Sequence, residues 1–144
     1  MTALVREYQV YGNDFVRAGE ASGKIKAILK ALGYPPEMVR RAAITTYEAE
    51  INMVIHAGGG RVRASFTPEE VRLVFADQGP GIPDLSLAMQ EGWSTAPESA
   101  RALGFGGGMG LPNIQRYSDA LDIDTRPGVG TTLSVTIRPG GSRL

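Results

Sequence analysis

The sequence predicts an α+β protein, a two-layer sandwich in which helices cover one face of a mixed, mostly antiparallel sheet. Three observations carry this reading. Long segments with apolar residues every three or four positions fill the first third of the chain, and short alternating segments follow in pairs. Gly58-Gly-Gly60 stops the second long segment, and Arg126-Pro-Gly-Val-Gly130 makes a turn between two of the alternating ones. The length of 144 residues fits one domain with a single core, spanning 1–144.

Leu4 to Val10 forms the first strand. Asn13 or Asp14 then caps a helix whose apolar positions Phe15, Ala18, Ile25, Ile28, Leu29 and Leu32 end at Gly33, although Gly19 and Gly23 weaken it. Tyr34-Pro35-Pro36 breaks that helix and starts a second, because proline fits the first helical turn and Glu37 favours its positive end. This helix runs to His56 or Ala57. Val62, Ala64 and Phe66 alternate with polar neighbours, Thr67-Pro68-Glu69-Glu70 turns, and Val71 to Ala76 returns as the second arm of a hairpin.

Asp84 caps a short helix through Met89. From Glu91 to Leu103 the chain mixes Gly, Ser, Thr, Pro and charge without periodicity, as a lid loop does; with the glycines after it, the lid covers about 91–109. Pro112, Ile114 and Tyr117 belong to a further helix, Leu121 and Ile123 to a strand, and Leu133, Val135 and Ile137 to a last strand after the Arg126–Gly130 turn. Residues 139–144 form a frayed tail.

Composition narrows the function. Fifteen basic residues balance fifteen acidic ones, so no basic footprint points to nucleic acid or an anionic membrane. With no cysteine there is no disulfide, thiolate metal site or cysteine nucleophile, in keeping with a cytoplasmic protein. No apolar run approaches the roughly 18 residues a membrane span needs, and the first residues lack a signal peptide's apolar centre.

The chemistry concentrates in glycine-rich loops and one polar helix line. Asp77-Gln-Gly-Pro-Gly81-Ile82 and Gly104-Phe-Gly-Gly-Gly-Met-Gly110-Leu-Pro-Asn113 bring backbone amides within reach of phosphate oxygens, the second running into a helix N-terminus. Lone glycine motifs more often mark plain turns. On the second helix Thr45, Glu48, Asn52 and His56 recur at three- or four-residue spacing. Water is the ordinary occupant of such a stripe, yet a carboxylate one turn before a carboxamide also suits a base, Glu48, beside a magnesium ligand, Asn52. Asp77, at the end of an apolar strand, is either a turn aspartate or an acceptor for an exocyclic amine such as adenine's. His56 reads as a structural helix-end residue, and Trp93 equally as a lid anchor or a partner contact.

Glu48-Ala-Glu-Ile-Asn52, Asp77-Gln-Gly79-Pro-Gly81-Ile82, Gly106-Gly-Gly108-Met109-Gly110-Leu111 and Gly130-Thr131-Thr132 stand in the order seen in GHKL (Bergerat-fold) ATPases, which the chain resembles over nearly its whole length. Within that superfamily it looks most like the bacterial anti-sigma-factor and switch serine/threonine kinases of partner-switching modules. The resemblance implies ATP and Mg2+ as cofactors, with Glu48 as general base and Asn52 holding magnesium. It implies further that Asp77 reads the adenine amine, Gly79, Gly81 and Ile82 line the base, and Thr131 assists there. It implies too that Gly106, Gly108 and Gly110 with the following helix contact phosphates, that Met109 and Leu111 bind ATP beside them, and that Arg101 reaches the terminal phosphate. The same resemblance implies a STAS-domain protein substrate, a sigma factor or other regulator as a second partner, and a possible homodimer. Two other readings share the pocket: an ATP-binding anti-sigma factor acting by sequestration, and the catalytic half of a split histidine kinase.

Overall fold

The computed structural model describes residues 3–14, 16–82, 88–90 and 110–140. Their chain order is β1 (Leu4–Tyr11), α1 (Glu20–Ala31), α2 (Pro36–His56), β2 (Gly59–Phe66), β3 (Val71–Asp77), α3 (Gly110–Tyr117), β4 (Ala120–Arg126) and β5 (Gly130–Ile137). The expected two-layer α+β sandwich is present. Its five strands lie in the order β1-β2-β3-β5-β4, and all four pairings are antiparallel. The lid at 91–109, Trp93, Phe15 and residues 141–144 lie outside the described residues, as does most of the short helix expected after Asp84.

The strands alternate as the sequence predicts. Val62, Ala64 and Phe66 of β2, Val71, Leu73 and Phe75 of β3, and Leu133, Val135 and Ile137 of β5 are buried, while the residues between them face the other side. Onto this face α1 contributes Ile25 and Leu29, and α2 contributes Met38, Val39, Ala42, Met53 and Val54, forming one core cluster. Helix α2 starts where Pro35-Pro36 fixes the backbone and ends at Ala57, ahead of Gly58 at φ +71°.

Helix α1 differs from the expectation at its start. Asp14 does cap, its Oδ1 accepting the Arg17 N–H at 3.2 Å, but it leads only into a single turn. Gly19 sits at φ +93°, a conformation glycine takes without penalty, and it interrupts the helix so that α1 begins at Glu20. Its cap comes from 28 to 31 residues away. The Glu50 carboxylate, only 2% exposed on α2, accepts the backbone N–H of Gly19 and Ala21 through Oε2 and of Ser22 through Oε1.

A second buried charge joins α2 to the far end of the sheet. Arg41, 2% exposed, donates to Glu37 at 2.6 Å, Asp119 at 3.1 Å, and the carbonyls of Tyr117 at 3.3 Å and Arg138 at 2.6 Å. Asp119 also accepts the Arg138 N–H, so this one cluster connects α2, the end of α3 and the end of β5.

Candidate active site

The end of β3 delivers Asp77 into a network built across three strands. Its Oδ1 accepts the N–H of Gly79 at 2.9 Å and of Thr131, opposite it on β5, at 3.2 Å. The Thr131 hydroxyl meets the Thr125 hydroxyl at 2.8 Å, and Thr125 Oγ1 accepts the Ile82 N–H at 2.8 Å. Asp77 is half-buried, and its Oδ2 has no hydrogen bond among the described residues, so one carboxylate oxygen remains for an amine donor.

The glycines around it are close approaches. A Cβ on Gly79 would lie 2.6 Å from Ala57 Cα, and one on Gly81, at φ +78°, would lie 2.6 Å from the Arg126 carbonyl oxygen. Any side chain at either position would push the loop away from α2 or from the β4–β5 turn. Ile82 is partly buried against the core.

Helix α2 runs away from this corner and carries the polar line. Asn52 is half-buried and faces Gly110, where a Cβ would lie 3.1 Å from both its Oδ1 and Nδ2. The first residue of α3 therefore abuts the carboxamide. At 1.5 Å of rise per residue, Asn52 lies about 7 Å along the axis from Ala57, and Glu48 about 6 Å further on. Loop-facing carboxamide and carboxylate thus succeed one another along a single helix, whose C-terminal end lies against the glycine loop that follows Asp77 of β3.

Burial raises the Glu48 carboxyl above its ordinary 4.5, and the Asn113 side chain, as a hydrogen-bond partner, pulls the other way. His56 is held below its ordinary 6.5 by burial and has interactions of its own, in keeping with a structural role. Thr45, the fourth member of the line, is fully buried, and its Oγ1 has no hydrogen-bond partner among the described residues. It faces the interior rather than the cleft opening.

The fit to a nucleotide rests on this geometry. A free carboxylate oxygen at one end, glycines that a Cβ would obstruct, and a helix N-terminus against a carboxamide match the purine, the close backbone approach and the phosphates in turn. Asn52 Oδ1, facing the start of α3, is an oxygen that a magnesium ion bound here could use. Among the described residues no three His, Cys, Asp or Glu cluster as a metal cage, so a magnesium ion here would draw most of its oxygen ligands from phosphates and water.

Residues 14–137 match the model of the histidine kinase-like ATPase domain. The chain belongs to that family. It is also 39% identical over 95 residues to an anti-sigma F factor of Bacillus licheniformis, covering 62% of each chain. It is 31% identical over 112 residues to the serine/threonine-protein kinase RsbT of Bacillus subtilis, covering 74% of this chain and 77% of that one. The anti-sigma F factor of Bacillus subtilis is 36% identical over 95 residues. The match spans about 62% of the length of the anti-sigma F factors.

Within this ATPase domain the structure brings Glu48, Asn52, Asp77, Gly79, Gly81, Ile82, Gly110 and Thr131 to one side of α2 and the adjoining strand ends. Leu111 is 8% exposed and packs in the core, so its contribution to the loop is its backbone. Arg101, Gly106, Gly108 and Met109 lie outside the described residues. Three residues of the architecture escaped the sequence reading. Thr125 was within reach of it, since the Arg126–Gly130 turn sets a register that pairs Thr125 with Thr131. Glu50 and Arg41 act through partners distant in sequence and leave no local pattern.

Proposed function

We propose that this chain is a magnesium- and ATP-dependent serine/threonine protein kinase of a bacterial partner-switching module, and that its substrate is a STAS-domain regulator. ATP follows from membership in the ATPase family. The observation that carries the phosphoryl-transfer reading is the placement of the half-buried Glu48 one turn beyond Asn52, which itself abuts the start of α3. A general base belongs at the acceptor end of the phosphate path, and in this reading Glu48 stands at that end.

In this reading Asp77 accepts the adenine amine through Oδ2 while Oδ1 stays committed to Gly79 and Thr131. The amides at the start of α3 hold phosphate oxygens, and Asn52 would hold a magnesium ion, which would supply charge neutralisation at the phosphates. Glu48 accepts the proton of the incoming serine or threonine hydroxyl as its oxygen bonds to the terminal phosphorus and the bond to ADP breaks. The raised carboxyl pKa suits that work, because a carboxylate with higher proton affinity takes the proton more readily.

Incubation with labelled ATP, magnesium and STAS-domain proteins tests the proposal. Label should appear on serine or threonine, survive acid, and disappear with Glu48→Gln while nucleotide affinity stays within about threefold. Acid-labile label would instead assign the chain to histidine phosphorylation. A second reading, sequestration of a sigma factor, is favoured by the names of the anti-sigma F factor relatives. It predicts that Glu48→Gln leaves ATP-dependent partner binding and transcriptional inhibition intact.

A further inference from the structure

Helices α1 and α2 leave an open groove of about 550 Å3 on their outer side. Val39, 4% exposed, and Ile44 form its apolar floor, and Lys26, Lys30 and Arg40 its walls. Tyr34 closes one end; its ring packs on the core and its hydroxyl donates to the Thr67 carbonyl, so that wall is fixed before any ligand arrives.

The charge is lopsided. The chain is neutral overall, yet no carboxylate of the described residues lines this groove. Elsewhere most of the described cations are paired, among them Lys24 with Glu20, Arg72 and Arg138 with Glu70, and Arg126 with Asp124, while Arg6 and Arg61 stand singly on the sheet. Among the described residues, Lys26, Lys30 and Arg40 have no carboxylate partner within 4.0 Å, and Arg40 instead lies 5.7 Å from the centre of the Tyr117 ring. An apolar floor between unpaired cations complements a segment with apolar residues on one side and carboxylates flanking them.

Position gives the groove a purpose. Arg40, Ile44 and Glu48 are spaced four apart on α2, so they share a face, and Glu48 lies about 6 Å beyond the end of the groove. A segment seated there holds its protein beside the proposed base.

We propose that the α1–α2 groove docks an acidic, apolar-faced segment of the protein substrate. This rests on the kinase reading for its purpose, but its test requires no phosphoryl transfer. The full chain, isotopically labelled and saturated with magnesium ATP, is titrated with a synthetic 12-residue helical peptide carrying Leu and Ile at positions i, i+3, i+4 and i+7 and Glu between them. A twin peptide with Lys for every Glu, and vesicles containing phosphatidylserine, form the other arms.

The proposal expects amide shifts at Lys26, Lys30, Val39 and Ile44. It also expects affinity at least tenfold weaker for the twin peptide and for Lys26→Glu/Lys30→Glu/Arg40→Glu, with ATP affinity unchanged within twofold. Should the triple variant fail to fold, Lys30→Glu and Arg40→Glu singly are each expected to weaken binding at least threefold. Equal binding of both peptides, shifts confined elsewhere, no binding at millimolar peptide, or tighter engagement of the groove by vesicles overturns the proposal. If groove binding is intact but no substrate is ever phosphorylated, the kinase reading fails and the docking surface stands. Efficient transfer by the triple variant, with wild-type KM, leaves the kinase reading and overturns the docking.

Discussion

Replacing Glu50 by alanine removes the side-chain cap of α1. Three N–H groups lose their acceptor, and two of them, on Ala21 and Ser22, belong to buried residues. Loss of an N-cap costs about 1–2 kcal/mol, and loss of a buried negative charge from the positive end of the helix about 1 more, giving roughly 2–3 kcal/mol. In a domain of this size each kcal/mol moves the midpoint by about 2–4 °C, so a thermal melt should fall by roughly 5–10 °C. Glutamine does not rescue it. Both Glu50 oxygens are engaged, and an amide offers one acceptor while turning an NH2 towards a backbone donor. Glu48→Gln, two residues earlier and making none of these bonds, is the control and should not lower the midpoint at neutral pH. Chemical denaturation of the four proteins measures the differences directly. If Glu50→Ala and Glu50→Gln both fall within about 0.5 kcal/mol of the parent, the carboxylate is not what holds the start of α1.

Arg41→Met leaves the Asp119 carboxylate, 7% exposed, without its guanidinium and should cost about 3–4 kcal/mol by urea denaturation. Adding Asp119→Leu should restore part of that loss, a coupling a double-mutant cycle reads. Gly110→Ala drives a Cβ against Asn52 and should weaken magnesium ATP about tenfold by calorimetry, a loss of about 1.4 kcal/mol, with little change in the melting midpoint. Because the Glu48 carboxyl is raised in the folded state, its contribution to stability is present below the ordinary 4.5 and is lost as pH rises through the folded value. Glu48→Gln should therefore gain stability relative to the parent as pH increases through that window and level off above it. The acid limb of the proposed kinase activity, by the same shift, should sit above the usual carboxylate range.

The parts of this fold that the sequence discloses are those whose cause is local. Pro35-Pro36 and Gly58 mark the bounds of α2, and strict alternation from Val62 to Phe66 and from Leu133 to Ile137 gives the buried sheet face. Asp14 shows the limit of such reasoning: its capping interaction is real, but one turn later Gly19 at φ +93° ends what Asp14 began. The carboxylate that starts α1 sits on another helix, and no window of neighbouring residues contains it. At the site, Asp77, Gly79 and Gly81 are legible because a turn at a strand end constrains each of them. The burial of Arg41 beside the exposed Arg40 is not legible, since adjacent arginines differ only in which way the helix turns them.

The strand order bears on synthesis. Asp77 is anchored by Thr131, 54 residues later, and β5 takes its place between β3 and the already emerged β4. A nascent chain can pair β1, β2 and β3 as they emerge, but the network around Asp77 stays unfinished until β5 has left the ribosome. A nucleotide can therefore stabilise only a chain that includes β5, and chains truncated before Gly130 should turn over as apo-protein however much ATP surrounds them.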